Sequence, residues 1–381
     1  MKILVTGSAG FIGAALVERL LDDPVILRRD SDEGSEPLSI VGVDNLNDYY
    51  DPALKEYRLR KIEEKYAACH SERSEESVEY QFIKGDIADR EFIEALFAEH
   101  KFDIVVNLAA QAGVRYSIEN PDVYVESNVL GFYNILEACR RSFVAAAPQD
   151  DRKGHDDSCH PERSEGSTYR GVQHLIYASS SSVYGSNKKV PFSVEDKVDD
   201  PVSLYAATKK SNELFASCYS RLYGIPCTGL RFFTVYGPAG RPDMAYFGFT
   251  DRLVRGQKIQ IFNYGACERD FTYIDDIIEG IVRVMGRAPA GHALYNIGGG
   301  QPVKLLDFVQ TLQEELVRAG VLPQDYDFDA HKELVPMQPG DVPVTYADAS
   351  ALERDFGFTP QVPLREGLRQ FAEWYKEYYG L

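Results

Sequence analysis

The chain has 381 residues, 44% of them hydrophobic and 26% charged, so it can bury a large core in about two domains. Its 59 acidic residues outnumber the 41 basic ones and give a net charge of −18, which argues against nucleic acid and anionic membranes as partners. No apolar run approaches the roughly 20 residues of a membrane helix, and six cysteines are too few for a disulfide framework, so we expect a cytoplasmic protein.

Short apolar runs alternate with helical stretches in the first half, which predicts a parallel sheet covered by helices on both faces. Strands are expected at 2–6, 39–44, 80–86, 103–108, 173–179 and 227–233. Helices are expected between them at 11–22, 52–67, 89–99, 121–143 and 202–223. The second half is less regular and predicts a smaller α+β domain, with helices at 246–256, 274–286, 304–319 and 364–379.

A polar nine-residue segment occurs twice, at 69–77 and 159–167, with seven identical positions. Each copy begins with Cys-His, but two such pairs without further well-spaced ligands are a poor zinc signature, so we expect no metal site. We interpret these segments as inserted polar loops, near 69–77 and 150–168, together with a third stretch near 28–37.

Three glycines, Gly7, Gly10 and Gly13, follow the first predicted strand and open the first helix. Glycines there allow a tight turn and let the backbone approach a pyrophosphate; a glycine turn without a ligand is the competing interpretation. Asp44 ends the second predicted strand, where a carboxylate accepts hydrogen bonds from both ribose hydroxyls and repels a 2′-phosphate, which favours NAD over NADP. Residues beside the turn and at the following strand ends complete the expected cofactor set: Phe11, Ile12, Asn45, Asp86, Ile87, Leu108, Ala109 and Ala110.

Tyr205 and Lys209 lie four residues apart on a predicted helix and therefore share a face. A free tyrosine has a pKa of about 10. A neighbouring lysine and the positive nicotinamide favour the phenolate, which makes Tyr205 a proton acceptor for an alcohol. A serine run at 179–182 ends the preceding strand and could hold the substrate oxygen. The order glycine turn, serine run, Tyr-x-x-x-Lys is much more specific than any of its parts.

This combination resembles the extended short-chain dehydrogenase/reductase family, and within it the nucleotide-sugar epimerases, over nearly the whole chain. The resemblance implies a Rossmann-type doubly wound parallel sheet that binds NAD (1–234) and a smaller C-terminal domain that binds the nucleotide sugar (235–381), some of whose segments return to the first domain. It also implies that Ser180 is catalytic, that Tyr205 is the base, and that Lys209 orients the cofactor ribose, so both Tyr205 and Lys209 contact NAD.

The segments 44–52, 111–117 and 231–245 are similar to UDP-glucuronate 4-epimerases, which convert UDP-glucuronate reversibly to UDP-galacturonate through a 4-keto intermediate with tightly bound NAD. The resemblance implies that Thr234 and Arg241 hold the sugar carboxylate. A planar guanidinium suits that task, although a surface ion pair is the other interpretation of Arg241. The remaining substrate contacts that the resemblance implies come from the serine run, the 111–117 segment and the second half: Arg115, Ser180, Ser181, Phe262, Arg269 and Asp341.

Four other functions compete with this one. A UDP-glucuronate decarboxylase shares the cofactor and the Tyr–Lys pair, but the segment 240–244 argues against it. A 4-epimerase of neutral UDP-sugars is disfavoured by Arg241. A 4,6-dehydratase needs acidic residues where this chain has Ser181 and Ser182. An NAD-binding scaffold or sensor typically lacks the Tyr or the Lys. Relatives pair two helices per subunit, here 121–143 and 202–223, so the resemblance also implies a homodimer.

Overall fold

The apolar strands of the first half form one parallel sheet, and the carboxyl ends of its strands carry the glycine turn and the serine run. The computed structural model describes residues 1–24, 26–27, 37–72, 78–146, 171–337 and 342–381. The strands are β1 (Lys2–Thr6), β2 (Ser39–Asp44), β3 (Glu79–Lys84), β4 (Ile104–Asn107), β5 (His174–Ser180), β6 (Cys227–Phe232), β7 (Thr234–Tyr236), β8 (Ile259–Ile261), β9 (Glu268–Tyr273), β10 (His292–Ile297), β11 (Pro302–Lys304), β12 (Lys332–Leu334) and β13 (Val344–Thr345).

Helices cover both faces of this sheet and build most of the second half. They are α1 (Phe11–Asp22), α2 (Pro52–Glu72), α3 (Arg90–His100), α4 (Tyr116–Glu119), α5 (Asp122–Tyr124), α6 (Phe132–Ala146), α7 (Leu204–Tyr223), α8 (Ala245–Val254), α9 (Ile274–Met285), α10 (Leu305–Ala319), α11 (Ser350–Phe356) and α12 (Leu364–Tyr379). A π-helical segment, Val125–Gly131, connects α5 to α6.

The main sheet has seven strands in the order β10-β6-β5-β4-β1-β2-β3, and all neighbours are parallel. The side chains of β1 alternate between two apolar clusters: Ile3 and Val5 pack into one and Leu4 into the other. Burial on both faces explains the continuous apolar strands. The predicted doubly wound α/β fold is confirmed, and the six predicted strands lie within two residues of their expected bounds.

The second half contributes the seventh strand and two small sheets. β10 adds to the edge of the main sheet, with His292 opposite Cys227 on β6. Strands β7, β11 and β13 pair with β9, and β12 pairs with β8. These short strands lack an apolar period and were not predicted. The division of the chain at 234/235 stays a prediction.

The first copy of the repeated segment departs from its prediction as a loop. Residues 69–72 continue α2 by more than a turn beyond its expected end. The Cys69 thiol donates to the carbonyl of Leu21 at 3.5 Å, which ties this end of α2 to α1. Residues 73–77, the second copy at 159–167 and the polar stretch 28–36 lie outside the described residues. No helix in the described parts of the chain combines the length and apolarity needed to cross a bilayer.

Candidate active site

One cavity lies along the carboxyl ends of β1, β2, β4, β5 and β6. Every residue predicted to bind the cofactor lines it, including Tyr205 and Lys209. Of the predicted substrate residues, Ser180 and Arg241 line the same cavity. The ends of parallel strands therefore bring the glycine turn, the serine run and the Tyr–Lys pair to one place.

The glycine turn leaves no space for side chains. Gly7 has φ +70°, and its carbonyl accepts a hydrogen bond from the Gly10 amide at 2.9 Å. A Cβ on Gly13 would lie 2.1 Å from the Gly7 oxygen, and one on Gly7 would lie 2.8 Å from the Ala109 nitrogen. Bare backbone at the start of α1 is what a pyrophosphate requires.

The carboxylate of Asp44 is fixed at the end of β2. It accepts hydrogen bonds from the amides of Ala9 at 3.2 Å and Leu46 at 2.8 Å. Lys55 Nζ lies 3.7 Å from its Oδ1, and burial lowers the pKa of Lys55. Sequence reasoning missed Lys55, because nothing in the pattern of α2 separates it from exposed lysines such as Lys61. An ordered carboxylate here fits the ribose hydroxyls of NAD.

The Tyr–Lys pair projects from the first turns of α7. The Lys209 ammonium donates to the carbonyl of Ala178 at 2.9 Å and lies 6.0 Å from the centre of the Tyr205 ring. Burial raises the pKa of Tyr205, whereas a hydrogen bond with Ser180 and the charge of Arg241 lower it. Burial, followed by the charge of Arg241, lowers the pKa of Lys209 to about 7. Ser180 and Arg241 therefore both favour the phenolate of Tyr205 against the effect of burial.

Ser180 is held at the point where β5 turns into the segment Ser181–Tyr184. Its Oγ accepts hydrogen bonds from the amide of Ser182 at 3.2 Å and the Ser182 hydroxyl at 2.8 Å. The neighbouring Ser179 donates at 2.7 Å to Glu213, a buried carboxylate that is paired with Arg231 at 2.7 Å. The network was missed because Glu213 and Arg231 are distant in sequence.

Asn128, in the π-helical segment, fixes Gln111, which lines the cavity. Its side chain accepts from the Gln111 amide at 2.8 Å and donates to the Gln111 carbonyl at 2.9 Å. It also donates at 3.1 Å to Thr208, which lies between Tyr205 and Lys209 on α7. Asn128 makes these contacts from a turn that is wider than an α-helical turn by one residue, and π-helical turns often occur at functional sites.

Arg241, which lines the cavity, forms a two-point ion pair with Asp243. Arg241 Nε donates to Asp243 Oδ1 at 3.0 Å, and Nη2 donates to Oδ2. The hydroxyl of Tyr49 donates to the same Oδ2 at 3.2 Å. Although burial disfavours the cation, the Asp243 charge raises the pKa of Arg241 above its usual range. Burial opposes the charge of Asp243 as well, but Arg241 lowers the pKa of that carboxyl.

The other predicted substrate residues that the structure describes are not among those that line this cavity. The Arg115 guanidinium stacks 5.1 Å from the Phe262 ring centre, and Arg269 donates to the carbonyl of Pro343 at 3.0 Å. Thr234 opens β7, and Ser181 begins the turn after β5. Asp341 lies outside the described residues. The assigned roles of these residues stay predictions. In the described part of the chain, no group of three or more His, Cys, Asp or Glu could hold a metal ion.

A glycine turn fitted to a pyrophosphate, an ordered carboxylate for the ribose and a Tyr–Lys pair in one cavity define an NAD-dependent enzyme that acts on a hydroxyl group. The chain belongs to the NAD dependent epimerase/dehydratase family, whose model matches residues 3–298.

Relatives of known name are similar over the whole chain. It is 41% identical to UDP-glucuronate 4-epimerase 4 of Arabidopsis thaliana, covering all of this chain and 76% of that protein. It is 38% identical to a probable UDP-glucuronate 4-epimerase of Rhizobium meliloti, covering all of this chain and 98% of the relative. A crystal structure of UDP-glucuronic acid 4-epimerase from Bacillus cereus, in complex with UDP-glucuronic acid and NAD, has a TM-score of 0.76 at 30% identity and full coverage of both chains.

Proposed function

We propose that this protein converts UDP-glucuronate reversibly to UDP-galacturonate, using tightly bound NAD. The observation that carries the proposal is the position of Arg241: a guanidinium lies in the same cavity as Tyr205 and Lys209, where a sugar carboxylate would need a charge-assisted partner. The similarity to UDP-glucuronate 4-epimerases of plant and bacterial origin supports the same substrate.

The residues of the cavity divide the work between binding and proton transfer. Bound NAD would accept the C4 hydride and return it to the other face of the sugar. Tyr205 takes the C4 hydroxyl proton and gives it back, while Ser180 holds the C4 oxygen by a hydrogen bond. Lys209 holds the cofactor ribose and, when protonated, favours the phenolate of Tyr205. Asp44 receives the other ribose of the dinucleotide.

The nucleotide would extend towards the second half of the chain. Arg115, Phe262, Arg269, Thr234, Ser181 and Asp341 keep the roles that the family resemblance implies. The Arg115–Phe262 contact supports this assignment, because it places a cation and an aromatic ring together outside the sugar cavity. An aromatic ring can stack on a base and a guanidinium can bind phosphate.

The proposal is tested by incubating purified protein with UDP-glucuronate and no added NAD, and following the anomeric and H4 signals by NMR. We expect UDP-galacturonate. A UDP-pentose with CO2 would instead identify a decarboxylase, and turnover of UDP-glucose alone would identify a 4-epimerase of neutral sugars. Absence of any turnover, with NAD bound, would favour the scaffold or sensor. The Tyr205→Phe variant, which keeps the ring but loses the acid–base group, is expected to lose activity by about 10²-fold or more.

We also propose a homodimer in the cytoplasm, formed by the α5–α6 region and α7. These helices pack against each other and leave apolar side chains uncovered: Val125, Leu130, Leu214 and Leu222 are 46–63% exposed. Phe132 and Leu136 of α6 are buried in the core and are not part of this face. The same face of a second subunit would cover these apolar side chains with apolar side chains of its own. Leu214→Arg with Leu222→Arg should give monomers in sedimentation experiments, and a monomeric wild-type protein would overturn the proposal.

A further inference from the structure

The ion pair of Arg241 and Asp243 leaves only part of the guanidinium for a substrate. A guanidinium can hold a carboxylate at two points along either of two edges. Asp243 occupies the edge formed by Nε and Nη2. The remaining two-point edge is formed by Nη1 and Nη2. The side chains of Arg241 and Asp243 are 25% and 29% exposed, and Arg241 lines the cavity, so the guanidinium is accessible there without being free in solvent.

Asp243 is itself held by a residue from a distant segment of the chain. The Tyr49 hydroxyl donates to Asp243 Oδ2 at 3.2 Å. The Tyr49 ring packs 4.8 Å from that of Tyr116, and a Cβ on Gly113 would lie 2.8 Å from the Tyr49 hydroxyl. Three segments that are distant in sequence therefore fix the plane of one guanidinium.

We propose that Asp243 is a positioning residue that determines the product of the reaction, because it fixes the edge of Arg241 that holds the sugar carboxylate. The inference rests on the proposed function. A carboxylate held at two points on a fixed guanidinium keeps the C5–C6 bond in one direction, and this limits the changes of ring conformation at C5. The sugar as a whole still turns its other face to the cofactor, and the carboxylate contact is made again in the turned position.

The 4-keto intermediate makes this orientation matter. Its carboxylate is β to the C4 carbonyl, so the C5–C6 bond breaks readily when it stands perpendicular to the carbonyl plane. The electron pair of that bond then forms the C4–C5 enolate, CO2 leaves, and C5 takes a proton to give a UDP-4-keto-pentose. The hydride stays with the cofactor, so each CO2 leaves one reduced NAD. A fixed carboxylate keeps the bond out of this alignment, and the hydride returns to C4.

The experiment measures the ratio of CO2 and reduced NAD to UDP-galacturonate, with holoenzyme and UDP-glucuronate. The variants are Asp243→Ala, Asp243→Asn and Tyr49→Phe, with Arg241→Ala for comparison. Asp329→Ala is the matched control, since Asp329 pairs with Lys332 at 2.7 Å on the surface and is 86% exposed. The affinity for UDP-glucuronate and for neutral UDP-glucose is measured alongside.

We expect Asp243→Ala to raise the ratio of CO2 to epimer by about fivefold or more, with an affinity for UDP-glucuronate within about threefold of wild type. Asp243→Asn and Tyr49→Phe should shift the ratio in the same direction by less, and Asp329→Ala should not shift it. Arg241→Ala should lose about tenfold or more in affinity for UDP-glucuronate and not for UDP-glucose.

Two results would overturn the role of Asp243 and leave the proposed function intact. One is a wild-type ratio of CO2 to UDP-galacturonate in all three Asp243 and Tyr49 variants. The other is a loss of affinity for UDP-glucuronate in Asp243→Ala as large as that in Arg241→Ala. If Asp243→Ala fails to fold, Asp243→Asn and Tyr49→Phe decide the matter. Failure of the proposed function looks different, because the wild-type protein would not epimerise UDP-glucuronate or Arg241→Ala would bind it normally.

Discussion

Arg58 donates two hydrogen bonds to the carbonyl oxygen of Ala239, from Nε at 2.9 Å and from Nη2 at 2.7 Å. It also donates to the carbonyls of Gly240 and Ala9 at 3.0 Å each, and to the Tyr50 hydroxyl at 2.7 Å. The side chain is only 2% exposed. One buried guanidinium thus joins the glycine turn to the loop that carries Arg241, and it supports Ala239 in a left-handed conformation with φ +51°.

Replacing Arg58 should destabilise the fold and disturb both loops. Arg58→Met leaves three buried carbonyls without a donor, and we expect a loss of about 3 kcal/mol in the free energy of unfolding. Arg60→Met, on the exposed side of the same helix, should change it by less than about 0.5 kcal/mol. Urea unfolding measures both. An effect of Arg58→Met no larger than that of Arg60→Met would show that the hydrogen bonds contribute nothing net.

The buried pair of Glu213 and Arg231 should be far more sensitive to the loss of one partner than of both. Arg231→Met leaves the Glu213 carboxylate, whose side chain is 1% exposed, with Lys210 at 3.2 Å as its remaining cation, and we expect a loss of about 3 kcal/mol. The double variant Glu213→Leu with Arg231→Met should recover most of this loss. The double variant should still lose activity, because Ser179 loses its acceptor beside Ser180. Additive destabilisation in urea would contradict this account.

Lys209 should lower the free energy of unfolding, although the proposed reaction depends on it. Its pKa of about 7 in the folded protein, against 10.5 as the ordinary value, means that between these pH values the unfolded chain binds a proton that the folded protein does not. The free energy of unfolding therefore rises with pH across this window. The cost of burying the charged ammonium of Lys209 is fully present below about pH 7. We expect Lys209→Met, freed of NAD, to unfold at a higher temperature than wild type at pH 7.5 and to show a flatter pH dependence up to pH 10. If Lys209→Met and wild type had equal melting temperatures at pH 7.5 and also at pH 10, the prediction would be wrong.

His174 should make the protein sensitive to acid. Burial lowers its pKa to about 4, and its ring nitrogen is hydrogen-bonded to Thr228 at 2.8 Å. Between the ordinary pKa of 6.5 and the lowered pKa of about 4, the imidazole of His174 is protonated in the unfolded chain but not in the folded protein. The free energy of unfolding therefore falls as the pH falls through that range, by up to about 3 kcal/mol. His174→Gln should reduce the difference in unfolding free energy between pH 7 and pH 4.5. His331→Gln, at a loop position, is the control and should leave it unchanged.

Local patterns were sufficient for the cofactor half of the site. The glycine turn, Asp44 and the strand ends are each defined within a few residues, and the parallel sheet then brings their ends together. Tyr205 and Lys209 were found because a helix places residues four apart on one face. The main sheet followed from apolar runs that are continuous because both faces are buried.

The parts that were missed depend on contacts between distant segments. Asn128 and Arg58 act through partners in distant segments, and so does Asp243 through Tyr49; no spacing in the sequence indicates these pairs. The helix expected over 121–143 contains a π-helical segment, Val125–Gly131. It was not predicted, because one extra residue in a turn does not change the apolar period enough to be recognised. The end of α2 was placed too early because a polar composition was taken for a loop, whereas Cys69 anchors it to α1.

The position of β10 has a consequence for synthesis of the chain. β6 is complete at Phe232, but its outer neighbour ends only at Ile297. During translation the nascent sheet therefore presents the unpaired edge of β6 while about 65 further residues are made, which takes several seconds at ordinary elongation rates. An open edge is a template for pairing with another chain. Premature termination between these points should yield aggregating fragments, so the epimerase depends on prompt completion of its chain.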